Sequence, residues 1–230
     1  TTIRDRFFLQ PRLNASVEWR LRQDLDTVLA HAAAAPIPDP LRARIAAEAA
    51  ALATRIDALP DVPLDLVTVL PLDGLHAEVV ALQASLHRGM GRAPLSVWKR
   101  NRWAPLGLLD LPTPEEASQP VELEVAMMRG EVRGAAVVLT NATAEVMAVT
   151  VTVEGLPGAA PPAYLSVREV QVTDTRDRHP VAAALPAAAR VGNGWRVTVP
   201  AGGNRQVWFS FHRPPRSEEH TSELQSPNTI

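Results

Sequence analysis

The sequence of 230 residues contains no cysteine, one tyrosine and only 4% aromatic residues. Without cysteine there can be no disulfide framework, thiolate zinc site, iron–sulfur cluster or cysteine nucleophile. Basic and acidic residues nearly balance, at 23 and 25, so the chain lacks the overall field that attracts nucleic acid or anionic lipid. Long apolar runs are also missing, because none approaches the roughly 18 to 20 residues that a membrane-spanning helix needs. We therefore expect neither a nucleic-acid partner nor a membrane partner.

The hydrophobic fraction of 46% is ordinary for a folded chain, and the length accommodates two small domains. In the first half, apolar residues recur every three or four positions, which predicts a helix from about Asn14 to Ala35. Pro36-Ile37-Pro38 ends this helix, and Asp39-Pro40 begins a second one that runs to about Pro60. Two helices joined by so short a turn should pack as an antiparallel hairpin.

The remainder of the first half mixes short elements with proline. Short strands are predicted at Leu66–Leu70 and Leu95–Trp98, and a third amphipathic helix is predicted from about Leu75 to Arg88. Residues 1–104 therefore form a mainly helical N-terminal unit. Four prolines between 105 and 120 indicate a linker between two units.

After Pro120 the apolar residues alternate with polar ones, which is the period of a β-strand. Turn residues separate the alternating stretches, and only Val181 to Ala189 has the length and pattern of a helix. The alternating stretches are Val121–Val125, Ala135–Leu139, Val149–Val153, Leu165–Arg168, Val170–Thr173, Trp195–Val199 and Gln206–Phe211. Residues 121–215 are therefore predicted to form an antiparallel, immunoglobulin-like β-sandwich, which gives an α+β chain of two units.

The stretch from Arg216 to Ser226 matches the in-frame translation of a common short-read sequencing adapter at all eleven residues. We therefore treat residues 216–230 as a non-native tail and exclude them from arguments about fold and function. On this interpretation the natural sequence continues beyond Pro215 into a longer protein.

Groups that carry common chemistry are not arranged in recognisable motifs. The six histidines, His31, His76, His87, His179, His212 and His220, do not sit at metal-ligand spacing. Nucleophile-elbow, P-loop and dinucleotide-binding motifs do not occur in the sequence. Nothing in the pattern separates a glycosidase pair of carboxylates from ordinary charges at strand ends, such as Glu169 and Asp174. We assign no catalytic, cofactor-binding or metal-binding residue.

One local cluster, Trp98-Lys99-Arg100-Asn101-Arg102-Trp103, places two indoles around three cations. Indoles can stack on sugar rings or bases while cations meet phosphate or acidic sugars. The alternative interpretation is an ordered connector whose indoles pack at the boundary between the units while the cations reach water. Trp98 and Trp103 are the candidate carbohydrate-contact residues.

A series of strand and turn motifs marks the second half. These motifs are Met128-Arg129-Gly130-Glu131, Ala135 to Asn141, Val167 to Val170, Asp174-Thr175-Arg176 and Val199 to Phe209, with Trp98 and Trp103 to Leu106 before them. Together they resemble the N-terminal sandwich of a bacterial glycoside-hydrolase-like family that is labelled a domain of unknown function. The resemblance implies an accessory domain that precedes a (β/α)-barrel, with any glycosidase carboxylates on that barrel. Because the adapter-like tail follows Pro214-Pro215, no catalytic residue is carried over.

Three hypotheses follow. In the first, the chain is the non-catalytic N-terminal part of a glycoside-hydrolase-like protein, and its partner is the missing C-terminal catalytic domain of the same chain. In the second, it is a stand-alone carbohydrate-binding or adhesion module that uses Trp195, Trp208 or the pair Trp98 and Trp103. In the third, Lys99 to Arg102 bind nucleic acid. Burial of the indoles separates the second hypothesis from the first.

Overall fold

Three long helices dominate the first half of the computed structural model, which describes residues 7–158 and 161–212. Helix α1 spans Gln10–Ala34, α2 spans Asp39–Asp57 and α3 spans Gly74–Gly89. Proline in the first turn suits α1 and α2, because a helix start leaves its first N–H groups without partners. Asp73 caps α3 by accepting a 2.7 Å hydrogen bond from the N–H of His76. All three helices expected from the sequence are confirmed.

An apolar core holds these helices together. Each contributes fully buried side chains, including Leu21 from α1, Ile45 from α2 and Val79 from α3. Burying an aliphatic side chain of this size stabilises a fold by about 1.5 to 3 kcal/mol. The hairpin of α1 and α2 is confirmed, and α3 packs against both helices.

The strand predicted at Leu66–Leu70 is wrong. Val67 is 70% exposed, and the Leu70 N–H donates a 2.8 Å hydrogen bond to the carbonyl oxygen of Val172 without forming a ladder. Pro71 follows immediately and has no N–H to extend the pairing. A short run of apolar and β-branched residues does not form a strand unless a neighbouring strand pairs with it.

The described residues contain nine strands and a short helix, α4, at Pro114–Ser118. The strands are β1 Leu95–Trp98, β2 Val132–Asn141, β3 Met147–Thr152, β4 Leu165–Glu169, β5 Gln171–Asp174, β6 Pro180–Ala184, β7 Ala189–Val191, β8 Gly194–Val199 and β9 Asn204–His212. They form a four-stranded sheet in the order β1-β2-β9-β4, a three-stranded sheet in the order β3-β8-β7, and the hairpin of β5 and β6. Every pair of neighbouring strands is antiparallel.

The four-stranded and three-stranded sheets share one apolar core. Successive side chains of a strand point to opposite faces, so Val207 and Phe209 of β9 lie on the face that packs against Trp195 and Val197 of β8. All four residues are at most 8% exposed. The α+β class, with helices first and antiparallel sheets second, is confirmed.

Two stretches of the second half differ from the sequence prediction. Val181 to Ala189 is not a helix but contains all of β6 except Pro180, and the first residue of β7. Pairing with β5 satisfies the backbone of β6, and this tertiary pairing outweighs the helix preference of alanine. Residues 121–125 form no strand, although Leu123 and Val125 pack against the sandwich core.

Contacts from both predicted units meet at residues 105–120. Strand β1 precedes this segment in the chain, yet it pairs with β2 at the edge of the four-stranded sheet. Leu108 and Leu109 are buried in the core of the helices, whereas Leu106 packs with Trp98 and Val138. The division into 1–104 and 121–215 stays a prediction, and the segment between them packs on both sides. The adapter-like residues 216–230 lie outside the described residues.

Candidate functional site

The outer face of the four-stranded sheet, the face turned away from the sandwich core, carries the candidate site. In the registers of β1, β2 and β9, Trp98 lies opposite Val138, and Val138 lies opposite Gln206. Because side chains alternate, these three residues share the outer face, and Trp208 of β9 shares it with them. The segment from Lys99 to Asp110 folds over this face.

Trp98 is inside this layer. Its side chain is only 3% exposed, and its indole N–H donates a 2.9 Å hydrogen bond to Thr140 Oγ1. The Thr140 hydroxyl in turn donates to Asn204 Oδ1 at 2.6 Å. Trp98 therefore has no free ring face for a sugar, and its candidate role in carbohydrate contact is corrected to a structural one.

The same polar chain fastens the covering segment to the sheet. Asn204 is 3% exposed, and its side-chain amide donates to the carbonyl oxygen of Asp110 at 2.7 Å. Its backbone N–H donates to the carbonyl oxygen of Leu108 at 2.9 Å. Because every one of these buried groups is paired, the chain holds the segment in one position.

Two of the three cations in the cluster are already engaged. Lys99 Nζ donates to the carbonyl oxygen of Glu122 at 2.8 Å. Arg100 is held between Glu116 at 2.8 Å and Asp110 at 2.5 Å, and its guanidinium lowers the pKa of the Glu116 carboxyl. These contacts leave Arg102 as the cation of the cluster without a hydrogen bond or ion pair among the described residues.

Trp103 is at the surface, with its side chain 74% exposed. Its ring meets that of Trp208 edge to face, with centroids 5.2 Å apart and planes at 65°. Asn101 supports the turn before it, because Asn101 Oδ1 accepts a 3.0 Å hydrogen bond from the Trp103 N–H. Trp208 itself lies over Gly134, where a Cβ would come within 2.7 Å of the indole nitrogen. Only glycine allows this close approach, so the sheet seats Trp208 and Trp208 supports Trp103.

A pocket of about 180 Å³ opens beside Trp103. Its walls are mainly apolar and include Leu106, Val170 and Val181. The Arg102 guanidinium lies 5.4 Å from the centre of the Trp103 ring, and its buried Nε has no hydrogen-bond partner among the described residues. An unpaired cation thus stands between an exposed indole and an apolar pocket.

Gln206 supplies the second polar group of this pocket. Its side chain is 6% exposed and lines the pocket, yet its amide makes no hydrogen bond to any residue in 7–158 or 161–212. A side-chain amide can both donate and accept, so Gln206 can hydrogen-bond a ligand in the pocket. Gln206 could not be assigned to this site from the sequence, because 104 positions separate it from Arg102.

A larger cavity of about 430 Å³ lies between α1 and the turn from Asp177 to Pro180. Trp19 sits in its wall, with the guanidinium groups of Arg20 and Arg178 at 4.9 and 4.7 Å from the ring centre. Arg20 is ion-paired to both Asp24 and Asp174. The most buried charged groups of this cavity are already paired with one another. The pocket beside Trp103, which holds an unpaired cation, is therefore the stronger candidate for a ligand site.

A buried histidine, His76, contacts Asp24, which is one of the charged residues lining the larger cavity. His76 is 0% exposed, and its Nε2 lies 2.7 Å from Asp24 Oδ2. Its Nδ1 accepts a 3.0 Å hydrogen bond from the Leu72 N–H, so the ring proton must be on Nε2. This arrangement orients the imidazole and occupies both of its nitrogens, which indicates a structural role.

A second buried histidine, His87 of α3, is 0% exposed, and its Nδ1 has no partner among the described residues. Burial, together with the nearby charge of Arg92, lowers the pKa of His87 to about 4. Gln83 lies beside it and links α3 to the carbonyl oxygens of Leu109 and Gly202. Neither of the two pockets described above is lined by His87, which lies in the core.

Trp195, a candidate in the adhesion hypothesis, is 3% exposed within the sandwich core and has no free face. Trp208 is half-buried beneath Trp103. Of the four indoles considered as sugar platforms, Trp103 therefore presents the open ring. The exposure of Trp103 and its contact with Trp208 could not be predicted from the sequence, because both depend on the register in which the strands pair.

Comparison of this chain with protein-family models, curated proteins and solved structures returns no match. Within the part of the chain that the structure describes, no helix is long and apolar enough to cross a membrane. Function must therefore be argued from the geometry of the site.

Proposed function

We propose that this chain is the non-catalytic accessory region of a glycoside-hydrolase-like protein, and that it binds carbohydrate through Trp103. In this proposal the catalytic carboxylates belong to a barrel elsewhere in the full-length protein. The strand and turn motifs quoted above, which resemble a sandwich that precedes such a barrel, favour this assignment. We also propose that the β-sandwich has an immunoglobulin-like topology.

The observation that carries the carbohydrate-binding part of the proposal is the exposed and supported ring of Trp103. An indole that is 74% exposed leaves apolar surface in water, and a sugar ring can cover it with its C–H face. The edge contact with Trp208 limits the rotation of Trp103 before any ligand arrives. Less side-chain entropy is then lost on binding, which favours affinity.

The layout of the surrounding surface agrees with a platform. Arg102 and Gln206 place polar groups next to the ring, and the apolar pocket wall excludes water from one side. Sugar sites combine these elements because a sugar has both apolar ring faces and polar edges. The network from Trp98 to Asn204 holds the segment that carries Trp103, so the platform is preformed.

Affinity electrophoresis and calorimetry with a panel of soluble polysaccharides test the proposal on the whole chain. Binding to at least one polysaccharide is expected, and Trp103→Ala should weaken it by about tenfold or more, which corresponds to about 1.4 kcal/mol. Phe8→Ala is the matched control, since Phe8 is also an exposed aromatic, at 67%. Binding that is absent, or that survives Trp103→Ala unchanged, would overturn the carbohydrate role.

A turnover assay tests the non-catalytic part of the proposal. The chain is expected to release no reducing ends from any polysaccharide that it binds. Hydrolysis that co-purifies with the chain and is lost on substitution of one of its own carboxylates would contradict the assignment. An independent read of the continuous gene distinguishes the accessory region from a stand-alone module, because only the former is followed by a barrel.

A further inference from the structure

The described lining of the pocket beside Trp103 has a positively charged residue and no negatively charged one. Arg102 carries its positive charge into a pocket whose described lining contains no aspartate or glutamate. The neighbouring cations are used elsewhere, because Lys99 binds a carbonyl oxygen and Arg100 is held by two carboxylates. A single unmatched positive charge therefore faces the ligand.

The pocket also has a hydrogen-bond donor that lacks an acceptor among the described residues. The Nε of Arg102 is buried and donates to nothing in the described residues. Gln206 adds a side-chain amide to the lining of the same pocket. Arg102 and Gln206 both line this pocket, so one ligand can contact both side chains. An acceptor with two oxygens that carries a negative charge satisfies this pair better than a neutral hydroxyl group does.

The size and walls of the pocket narrow the ligand further. About 180 Å³ is below the roughly 300 to 1,000 Å³ of sites for whole drug-sized ligands, so the pocket suits one sugar unit or one substituent. Apolar walls such as Leu106 and Val170 lower the local dielectric constant, which strengthens an ion pair with Arg102. A polyphosphate or nucleic-acid backbone would need several free cations, and this pocket offers one.

We infer that the pocket is a subsite for the carboxylate of a uronic-acid residue, whose ring stacks on Trp103 while the carboxylate accepts hydrogen bonds from Arg102 and Gln206. The inference rests on the proposed function, because the same indole carries the sugar. It adds the chemical class of the ligand, an acidic polysaccharide or oligosaccharide. Arg102 supplies the charge, and Gln206 supplies the orientation.

Calorimetry with matched pairs of ligands tests the inference on the whole chain. The probes are oligogalacturonate, oligoglucuronate and alginate oligosaccharides, each compared with its carboxyl-reduced neutral counterpart. For at least one pair, the acidic form should bind about tenfold more tightly than the neutral form. Arg102→Gln should abolish this preference, so that the acidic and neutral forms of each pair bind with equal affinity. Gln206→Leu, which preserves volume, should reduce the preference.

Two variants complete the design. Arg129→Gln removes an exposed positive charge outside the pocket, so it should preserve the preference if the contact is local. Trp103→Ala should weaken acidic and neutral forms alike. Circular dichroism of each variant separates loss of binding from loss of fold.

The outcomes separate the two proposals. Neutral sugars that bind through Trp103 without any preference for the acidic form would overturn the uronate subsite and leave the proposed function standing. A preference that Arg129→Gln removes as completely as Arg102→Gln would also overturn the subsite. If no sugar of either kind binds, the proposed function fails, and the subsite fails with it.

Discussion

Arg20 of α1 and Asp174 of β5, which are 154 positions apart in sequence, form an ion pair in which Nε donates to Oδ2 at 2.7 Å and Nη2 donates to Oδ1. The Arg20 side chain is 6% exposed and the Asp174 side chain 25%. Asp24 pairs with the same guanidinium at 3.0 Å. The first helix is thereby tied to the β5–β6 hairpin through a buried charge.

Removal of Asp174 tests how much this tie contributes. Asp174→Ala leaves the buried Arg20 with one carboxylate instead of two, and should lower the free energy of unfolding by about 2 to 3 kcal/mol. Asp57→Ala is the control, because Asp57 pairs with Arg22 where the two side chains are 62% and 41% exposed. That substitution should cost about 0.5 kcal/mol or less. Equal losses in urea denaturation would show that burial of the pair has no consequence.

The His76 ring should be locked in one tautomer. Because Nδ1 accepts from the Leu72 N–H, the proton must be on Nε2, from which it is donated to Asp24. Nitrogen NMR of the imidazole at neutral pH should show a protonated Nε2 and an unprotonated Nδ1. Asp24→Asn provides the comparison, since it removes the charge that accepts the proton. A rapid average of the two tautomers in the wild-type chain would contradict the geometry.

His87 should make stability depend on pH. Its pKa is lowered to about 4 in the folded chain, against 6.5 when unfolded, so the unfolded state takes up the proton first as pH falls. The stability that the neutral ring provides is complete above about pH 6.5 and is lost as pH falls toward 4. Between pH 7.5 and pH 5 the loss should be about 2 kcal/mol, at about 1.4 kcal/mol for each pH unit of the shift.

The His87 contribution is isolated by difference. Urea denaturation of wild type and His87→Leu at both pH values removes the effects of other titrating groups, which both chains share. The wild type should lose about 2 kcal/mol more than the variant over this interval. A difference that does not change with pH would mean that His87 is protonated to the same extent in both states.

Gly202 should tolerate no side chain. Its φ is +66°, and a Cβ would overlap the Val80 carbonyl oxygen and lie 2.9 Å from the Ala84 nitrogen. Gly202→Ala should therefore destabilise the fold by about 2 to 4 kcal/mol, from left-handed strain together with a clash against α3. Gly192→Ala shares the strain, at φ +56°, but has open space around it, and should cost only about 1 kcal/mol. Similar midpoints of thermal unfolding for the two variants would contradict the clash.

Regular periodicity made most elements predictable from the sequence. The stripes of α1 and α2 and the alternation in β8 and β9 follow directly from which faces are buried. Leu66–Leu70 and Val181–Ala189 were assigned wrongly because their outcome depends on whether a pairing partner is nearby. The first stretch forms no β-ladder with any described residue, whereas the start of the second pairs with β5 as strand β6.

The candidate site was predictable only in part. A cluster of indoles and cations was visible in the sequence, but its members separate in the fold, since Trp98 is enclosed under the segment that exposes Trp103. Which of the two is enclosed depends on the register of β1 with β2, about 40 positions later. Gln206 enters the site through the register of β2 with β9, which no local pattern encodes.

The position of β9 between β2 and β4 has a consequence for synthesis of the chain. β9 is the last described strand, yet it is central to its sheet and supplies both core residues and the pocket amide. A nascent chain that has not yet emerged as far as Asn204 therefore presents β2 and β4 with open edges and no pocket. Such edges invite pairing with other chains, so this protein should depend on chaperones or fast completion at the ribosome.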